Sequence, residues 1–175
     1  DALIVSARIP DTTVDWLATQ RKPVSFIGRP ARAGVASAGT DGFMAAFMLG
    51  RYLVEQGWKR IAYVGCSAAR WNAARLNGLS AALAEAQLKP LIFDAKTTNA
   101  EAGERIASSV FLGRERPDAV VGCNDLVAMG LMHEAKSLGL RIPEDVAITG
   151  FDNIPACRYV APPLTTVEMR SEEMG

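Results

Sequence analysis

Short continuous apolar runs, each followed by a helix-length amphipathic segment, recur along this chain and constrain its fold more than any other feature. Arg60-Ile61-Ala62-Tyr63-Val64-Gly65, Leu91-Ile92-Phe93, Ala119-Val120-Val121-Gly122 and Val146-Ala147-Ile148-Thr149-Gly150 lack the polar alternation of a strand wetted on one face. Such runs predict strands covered on both sides, as in parallel sheets. Between them the spacing predicts helices over about Asp41–Glu55, Asn72–Glu85, Ala100–Leu112 and Leu126–Leu138. Phe43, Ala46, Phe47, Leu49, Gly50, Leu53 and Val54 share one broad face of the first, and Gly57 ends it. Nearer the start, Ala2–Val5 and Pro23–Gly28 read as two buried strands separated by a short helix opening at Asp11. No tight hairpin turn lies between them, which predicts parallel pairing through a crossover. Pro162–Val167 reads as extended, and Met169–Gly175 as the first turns of another helix. The regular alternation predicts an α/β fold with doubly wound parallel sheets.

Composition narrows the function classes. With 175 residues, 49% hydrophobic and 22% charged, the chain can bury one good core or two small lobes and is not a disordered segment. Nineteen Lys and Arg balance nineteen Asp and Glu, giving a formal net charge of zero. Nucleic-acid binding by this chain alone is not expected, since phosphate binding needs a concentrated basic face. No apolar run approaches the roughly 20 residues of a membrane span. Asp1–Val5 has no basic leader, so a cytoplasmic protein without membrane contact is expected. Cys66, Cys123 and Cys157 are odd in number and widely spaced, which predicts buried free thiols in a reducing compartment. His133 is the single histidine, so neither a histidine-rich metal site nor a cofactor is expected. The abrupt ends suggest a fragment of a longer protein.

Parallel α/β sheets bind ligands outside the carboxyl ends of their strands. The residues there are Ser6, Gly28-Arg29, Cys66-Ser67, Asp94, Cys123-Asn124-Asp125 and Phe151-Asp152-Asn153, with Arg70, Trp71 and Arg75 opening the helix after the Ile61–Gly65 strand. A cation, carboxylates, an amide and a ring face suit a polyhydroxylated small molecule. Each residue also has a plainer use. Asn124-Asp125 can cap the next helix, Asp152-Asn153 can form a turn, and Arg75 can be a solvated helix residue. Catalytic signatures are missing: Val64-Gly65-Cys66-Ser67-Ala68 carries a single glycine, and no phosphate loop or nucleophile elbow occurs. Only Asp125 and Asp152 would serve a two-carboxylate mechanism, so no enzyme is expected.

Five segments carry a resemblance. Gly57-Trp58-Lys59-Arg60-Ile61-Ala62-Tyr63-Val64-Gly65 is similar to the G-H-x-x-I-A-x-I-x-G segment of the lactose-repressor family of bacterial transcription regulators. Arg75-Leu76-Asn77-Gly78 resembles its R-x-x-G helix, and Pro117–Gly130 its P-D-A-x-x-x-x-N-D-x-x-A-x-G. Gly139–Asp152 resembles G-x-x-I-P-x-D-v-x-v-x-G-f-D, and Pro162–Val167 resembles P-P-L-T-T-v. The segments fall in family order over nearly the whole chain.

The resemblance implies a two-lobed, periplasmic-binding-protein-like effector core. Residues 1–38 would be part of the N-terminal lobe, 39–163 the C-terminal lobe, and 164–175 a crossover back to the first. It implies a sugar-like or nucleobase effector in an interlobe cleft, coupled to operator DNA through an N-terminal headpiece outside this sequence. Arg75, Asn124 and Asp152 match the family's recurrent ligand positions, Trp71 a second contact, and Ser6 and Gly28 cleft positions of the N-terminal lobe. Several relatives carry an acid at the place of Gly28, for which Arg29 or a water would substitute. Lys96-Thr97-Thr98 stands where some relatives have an aromatic residue, a role Trp71 would take over. The resemblance further implies a homodimer, with Met132, Tyr159 and Val160 at matching interface positions; ordinary core packing is the other use of Met132. A periplasmic sugar-binding protein of a transporter shares the fold. The unpaired cysteines and the Pro162–Val167 segment favour the regulator.

Overall fold

The computed structural model describes residues 2–6, 9–20, 22–28 and 35–169. The chain divides into two compact units, with breaks after Asp41 and after Met169. The breaks expected from sequence fall after Ala38 and Pro163.

In the first unit β1 (Leu3–Val5), β2 (Val24–Ile27) and β3 (Ala36–Ala38) form a parallel sheet in that order, with α1 (Asp11–Ala18) between β1 and β2. Val14 and Leu17 of α1 bury themselves with Phe26, and Val5, Ile9, Val24 and Val35 pack around them. Leu3 and Ile4 are 43% and 69% exposed, against the buried strand expected for their apolar run. β1 is the edge of its sheet, and Ile4 alternates away from the face that carries Val5. β3 had no sequence signal because Ala-Ser-Ala offers neither branched residues nor periodicity.

The second unit carries a five-stranded, all-parallel sheet in the order β5-β4-β6-β7-β8. Its strands are β4 (Ile61–Gly65), β5 (Leu91–Asp94), β6 (Ala119–Gly122), β7 (Ala147–Asp152) and β8 (Thr165–Glu168). The helices are α2 (Gly42–Glu55), α3 (Asn72–Glu85), α4 (Ala100–Phe111) and α5 (Asp125–Ser137). α2 packs on α3 and α4 on α5, which is the doubly wound arrangement. β4 and β6 sit in the centre, and Ile61, Tyr63, Val64, Val120 and Val121 are completely buried, as their unbroken apolar runs require. Leu164–Val167, expected to lead back to the first lobe, contributes β8, whose Thr165–Glu168 pair in register with Thr149–Asp152 before the unit boundary after Met169. Hydrogen bonding to β7 therefore holds this segment in the second unit. Beyond Met169 the expected helix lies outside the described residues.

Two family-like motifs have structural explanations. Asp118 accepts hydrogen bonds from the backbone N–H groups of Arg60 at 2.8 Å and Lys59 at 3.2 Å, which fixes the start of β4 beside the start of β6. Gly78 lets α3 close on α2, because a Cβ there would overlap the Phe43 carbonyl group. A short 3-10 helix, Pro155–Arg158, follows β7 and had no sequence expectation.

Candidate functional site

Strand order reverses between β4 and β6: the chain leaves β4 outward to β5 and returns to β6. The carboxyl ends of these two strands are where such sheets open a crevice. Arg75 lies there, on the first turns of α3 and 5% exposed, so it is not a solvated helix residue. Its guanidinium donates to the Cys123 carbonyl oxygen beyond β6 and to Asp152 Oδ1 at 3.2 Å at the end of β7. The guanidinium carbon sits 4.3 Å from the centroid of Trp71 and 4.4 Å from that of Phe151. Stacking on two rings is favourable to a poorly hydrated, planar cation. Met169 Sδ lies 3.6 Å from the same nitrogen.

Asp152 is the accessible member of the pair, its side chain 37% exposed. Its second oxygen takes no hydrogen bond from the described residues. Burial pushes its carboxyl above the usual range, the Arg75 guanidinium pulls it back down, and the Asp125 carboxylate raises it again. Asp152 has φ 111° and Asn153 φ 51°. Two adjacent non-glycine residues at positive φ are strained backbone of the kind held at functional sites. The plain turn anticipated as an alternative for Asp152-Asn153 is therefore an unusual one.

Asn124 is engaged through both ends of its amide. Its Oδ1 accepts the Val127 N–H at 3.0 Å as the N-cap of α5, and its Nδ2 donates to the Thr98 carbonyl at 2.8 Å. The cap expected of the Asn-Asp pair is thus made by Asn124, 9% exposed, while Asp125 is bonded elsewhere. Trp71 offers at most one free face, the other being covered by Arg75.

Beside β4, at the sheet edge, Asp94 accepts from Ser67 Oγ at 2.7 Å, Lys96 Nζ at 2.9 Å, Lys96 N at 3.0 Å and Ser67 N at 3.2 Å. The Ser67 hydroxyl, followed by Lys96, holds this carboxyl well below the usual carboxylate range. Lys96 is thus tied into a salt bridge at the position where the resemblance suggested an aromatic side chain.

Ser6 and Gly28 follow β1 and β2 in the first unit, and both are exposed. Gly28 adopts φ 74° and donates its N–H to Ala38 O at 2.8 Å. Of the expected interface residues, Tyr159 is 86% exposed, but Met132 is 3% exposed within the core and Val160 packs against that core. Met132 therefore serves packing in the single chain. His133 lies exposed on α5. All three cysteines are free and buried, and burial pushes the Cys123 and Cys157 thiols up to about 12. Among the described residues no group of side chains is arranged to hold a metal ion, and no helix is long and apolar enough to cross a membrane.

Sequence reading missed Asn72, and it placed Phe151 at a strand end without its stacking role against Arg75. Asn72 Oδ1 accepts from the buried Tyr63 hydroxyl and from Cys66 N–H, both at 2.9 Å, and so anchors the start of α3 beneath Arg75. A polar residue opening the helix after the Ile61–Gly65 strand was the available signal. Phe151 had none beyond its place in the strand.

Residues 51–175 match the family described as periplasmic binding protein-like domain. The HTH-type transcriptional repressor PurR of Escherichia coli O1:K1 is 34% identical over 171 residues, covering 95% of this chain and 47% of the relative. That of Edwardsiella ictaluri is 33% identical over 138 residues, covering 77% and 40%. The chain spans about half the length of these curated relatives or less. A sugar-binding transcriptional regulator of the LacI family from Escherichia coli, solved with phosphate, superposes with TM-score 0.91 at 26% identity, covering 99% of this chain and 64% of that one. A LacI-family regulatory protein from Chloroflexus aggregans gives TM-score 0.91 at 30% identity, covering 99% and 64%.

Proposed function

Because the chain belongs to the periplasmic-binding-protein-like family, in the form carried by lactose-repressor-type regulators, we propose that it is the effector-sensing core of a transcriptional repressor. The effector is a small polar molecule received at the carboxyl ends of β4, β6 and β7. The observation that carries this reading is the Arg75–Asp152 pair at the switch point, on strained backbone, with one carboxylate oxygen that takes no hydrogen bond from the described residues. That oxygen accepts hydrogen bonds, so it favours a ligand rich in hydroxyl or N–H donors. A neutral sugar or polyol fits best, because Arg75 and Lys96 are both already paired with carboxylates. A nucleobase, which also presents N–H donors, is the second ligand class. Operator DNA is contacted through a segment beyond these 175 residues, in a homodimer that uses the exposed Tyr159 region.

Calorimetric titration of the intact regulator with D-galactose, D-ribose, D-gluconate and hypoxanthine tests the site. One neutral member binds, and Asp152→Asn weakens it by roughly ten- to a hundredfold, as expected for a hydrogen bond to a charged group. Equal affinity in Asp152→Asn refutes the assignment.

A further inference from the structure

Asp125 contacts no part of the proposed ligand surface, yet its carboxylate is completely buried. It occupies the first turn of α5, where negative charge is favoured by the helix dipole. Its Oδ2 accepts the backbone N–H of Ile154 at 2.9 Å, and its Oδ1 accepts the Thr166 hydroxyl at 2.5 Å. Burial, and after it the Asp125 carboxylate, hold the Cys157 thiol up. The same Thr166 hydroxyl accepts the N–H of Asn153 at 3.3 Å. β7 makes room for this carboxylate: Gly150, paired with Thr166 across the sheet, has no side chain, and a Cβ there would overlap Asp125 Oδ1. Three segments therefore meet on one buried group. They are the start of α5 beside Asn124, the strained turn that presents Asp152, and β8, which ends one residue before Met169 and the boundary of its unit.

We propose that Asp125 and Thr166 form a relay that fixes the Asp152 turn to the strand leading out of this unit, so that ligand contact and the setting of that strand change together. The proposal rests on the reading of Asp152 as a ligand contact. Its physical basis is that these bonds share two groups, the fully buried Asp125 carboxylate and the Thr166 hydroxyl, so that releasing one disturbs the others. A ligand that pulls on Asp152 shifts Asn153 and Ile154, and both amides end on this pair. Asp125 and Thr166 are positioning residues: they act on the ligand only through the turn.

Residue-resolved amide exchange on the 175-residue chain tests the relay directly. Thr166→Val removes the hydroxyl at nearly constant volume, and Thr166→Ser restores it. Thr166→Val is expected to speed exchange at Ile154, an amide that Thr166 does not touch, by roughly tenfold, with Thr166→Ser within about twofold of the parent. Asp125→Asn, which turns an acceptor into a donor, is expected to speed exchange at Val167 by a similar factor. Changes confined to the substituted residue's own bonded partners overturn the relay. In the intact regulator, whichever of D-galactose, D-ribose, D-gluconate and hypoxanthine binds the parent should bind Thr166→Val about tenfold more weakly and Thr166→Ser normally. Undiminished binding in Thr166→Val also overturns it. If none of the four binds the parent, the ligand reading falls, and the exchange measurement alone decides the relay.

Discussion

Replacing Arg75 by methionine separates the roles of its charge and its bulk. Methionine retains the apolar contact with Trp71 and Phe151 but removes the hydrogen bonds to the Cys123 carbonyl and to Asp152. A hydrogen bond involving a charged group contributes about 1.5–3 kcal/mol. The Asp152 side chain is 37% exposed and recovers part of its hydration, so its bond belongs at or below the lower end of that range. Loss of the cation–ring attraction adds about 1 kcal/mol. The terms are not additive, and a destabilisation of about 3 kcal/mol is expected at neutral pH. Burial raises the Asp152 carboxyl in the folded chain, and Arg75 opposes that rise. The folded state therefore holds this proton more tightly than the unfolded chain does. Its contribution to stability is present below the unfolded value near about 4 and is lost as pH rises through the folded value. Without Arg75 the folded value climbs further, so the cost of Arg75→Met should grow between about pH 4 and 7. Adding Asp152→Asn should abolish that growth. Urea unfolding of the four variants, followed by tryptophan fluorescence at several pH values, measures both quantities. A cost below about 1 kcal/mol, or one that does not change with pH, refutes the assignment of Arg75 as a buried partner of Asp152.

Asn124→Ala removes an N-cap and orphans the Thr98 carbonyl, so a loss of about 2 kcal/mol is expected in the same unfolding assay, with Asn124→Asp recovering the cap portion. Gly78→Ala drives a Cβ into the Phe43 carbonyl and should destabilise by about 2 kcal/mol or more, although alanine is the better helix former; a neutral result would mean that α2 and α3 can separate freely.

The centre of the sheet was legible because β4 and β6 are unbroken apolar runs, a pattern that double-sided burial requires, whereas edge strand β5 carries an equally apolar run with Ile92 61% exposed. β8 was not read as a sheet strand. Thr165, Thr166, Val167 and Glu168 hold one apolar residue in four, as suits an edge strand, and the segment read only as extended. Leu3 and Ile4 failed the same reasoning in the opposite direction, since an apolar run states that burial is favourable and not which element provides it. At the site, position near the strand ends put Arg75, Asn124 and Asp152 among many candidates, and the family resemblance singled out these three. What neither could supply was the direction of their bonds. The sandwich of Arg75 between Trp71 and Phe151 depends on two rings 80 residues apart in sequence, and no local pattern encodes that meeting.

The Asn124-Asp125 pair shows how two adjacent polar residues divide the work of one helix start. Either side chain can accept from an exposed N–H of the first turn, so the sequence alone leaves the cap ambiguous. The ambiguity is resolved by what lies behind each residue. Asn124 needs an acceptor for its amide hydrogens and finds the Thr98 carbonyl, which a carboxylate would repel. Asp125 accepts from two donors, the Ile154 amide and the Thr166 hydroxyl, where an amide nitrogen would meet hydrogen against hydrogen. Exchanging the two residues would keep the composition, the charge and a competent cap while reversing every one of these matches. The order Asn then Asp is therefore fixed by the two surfaces on either side of α5 rather than by the helix itself.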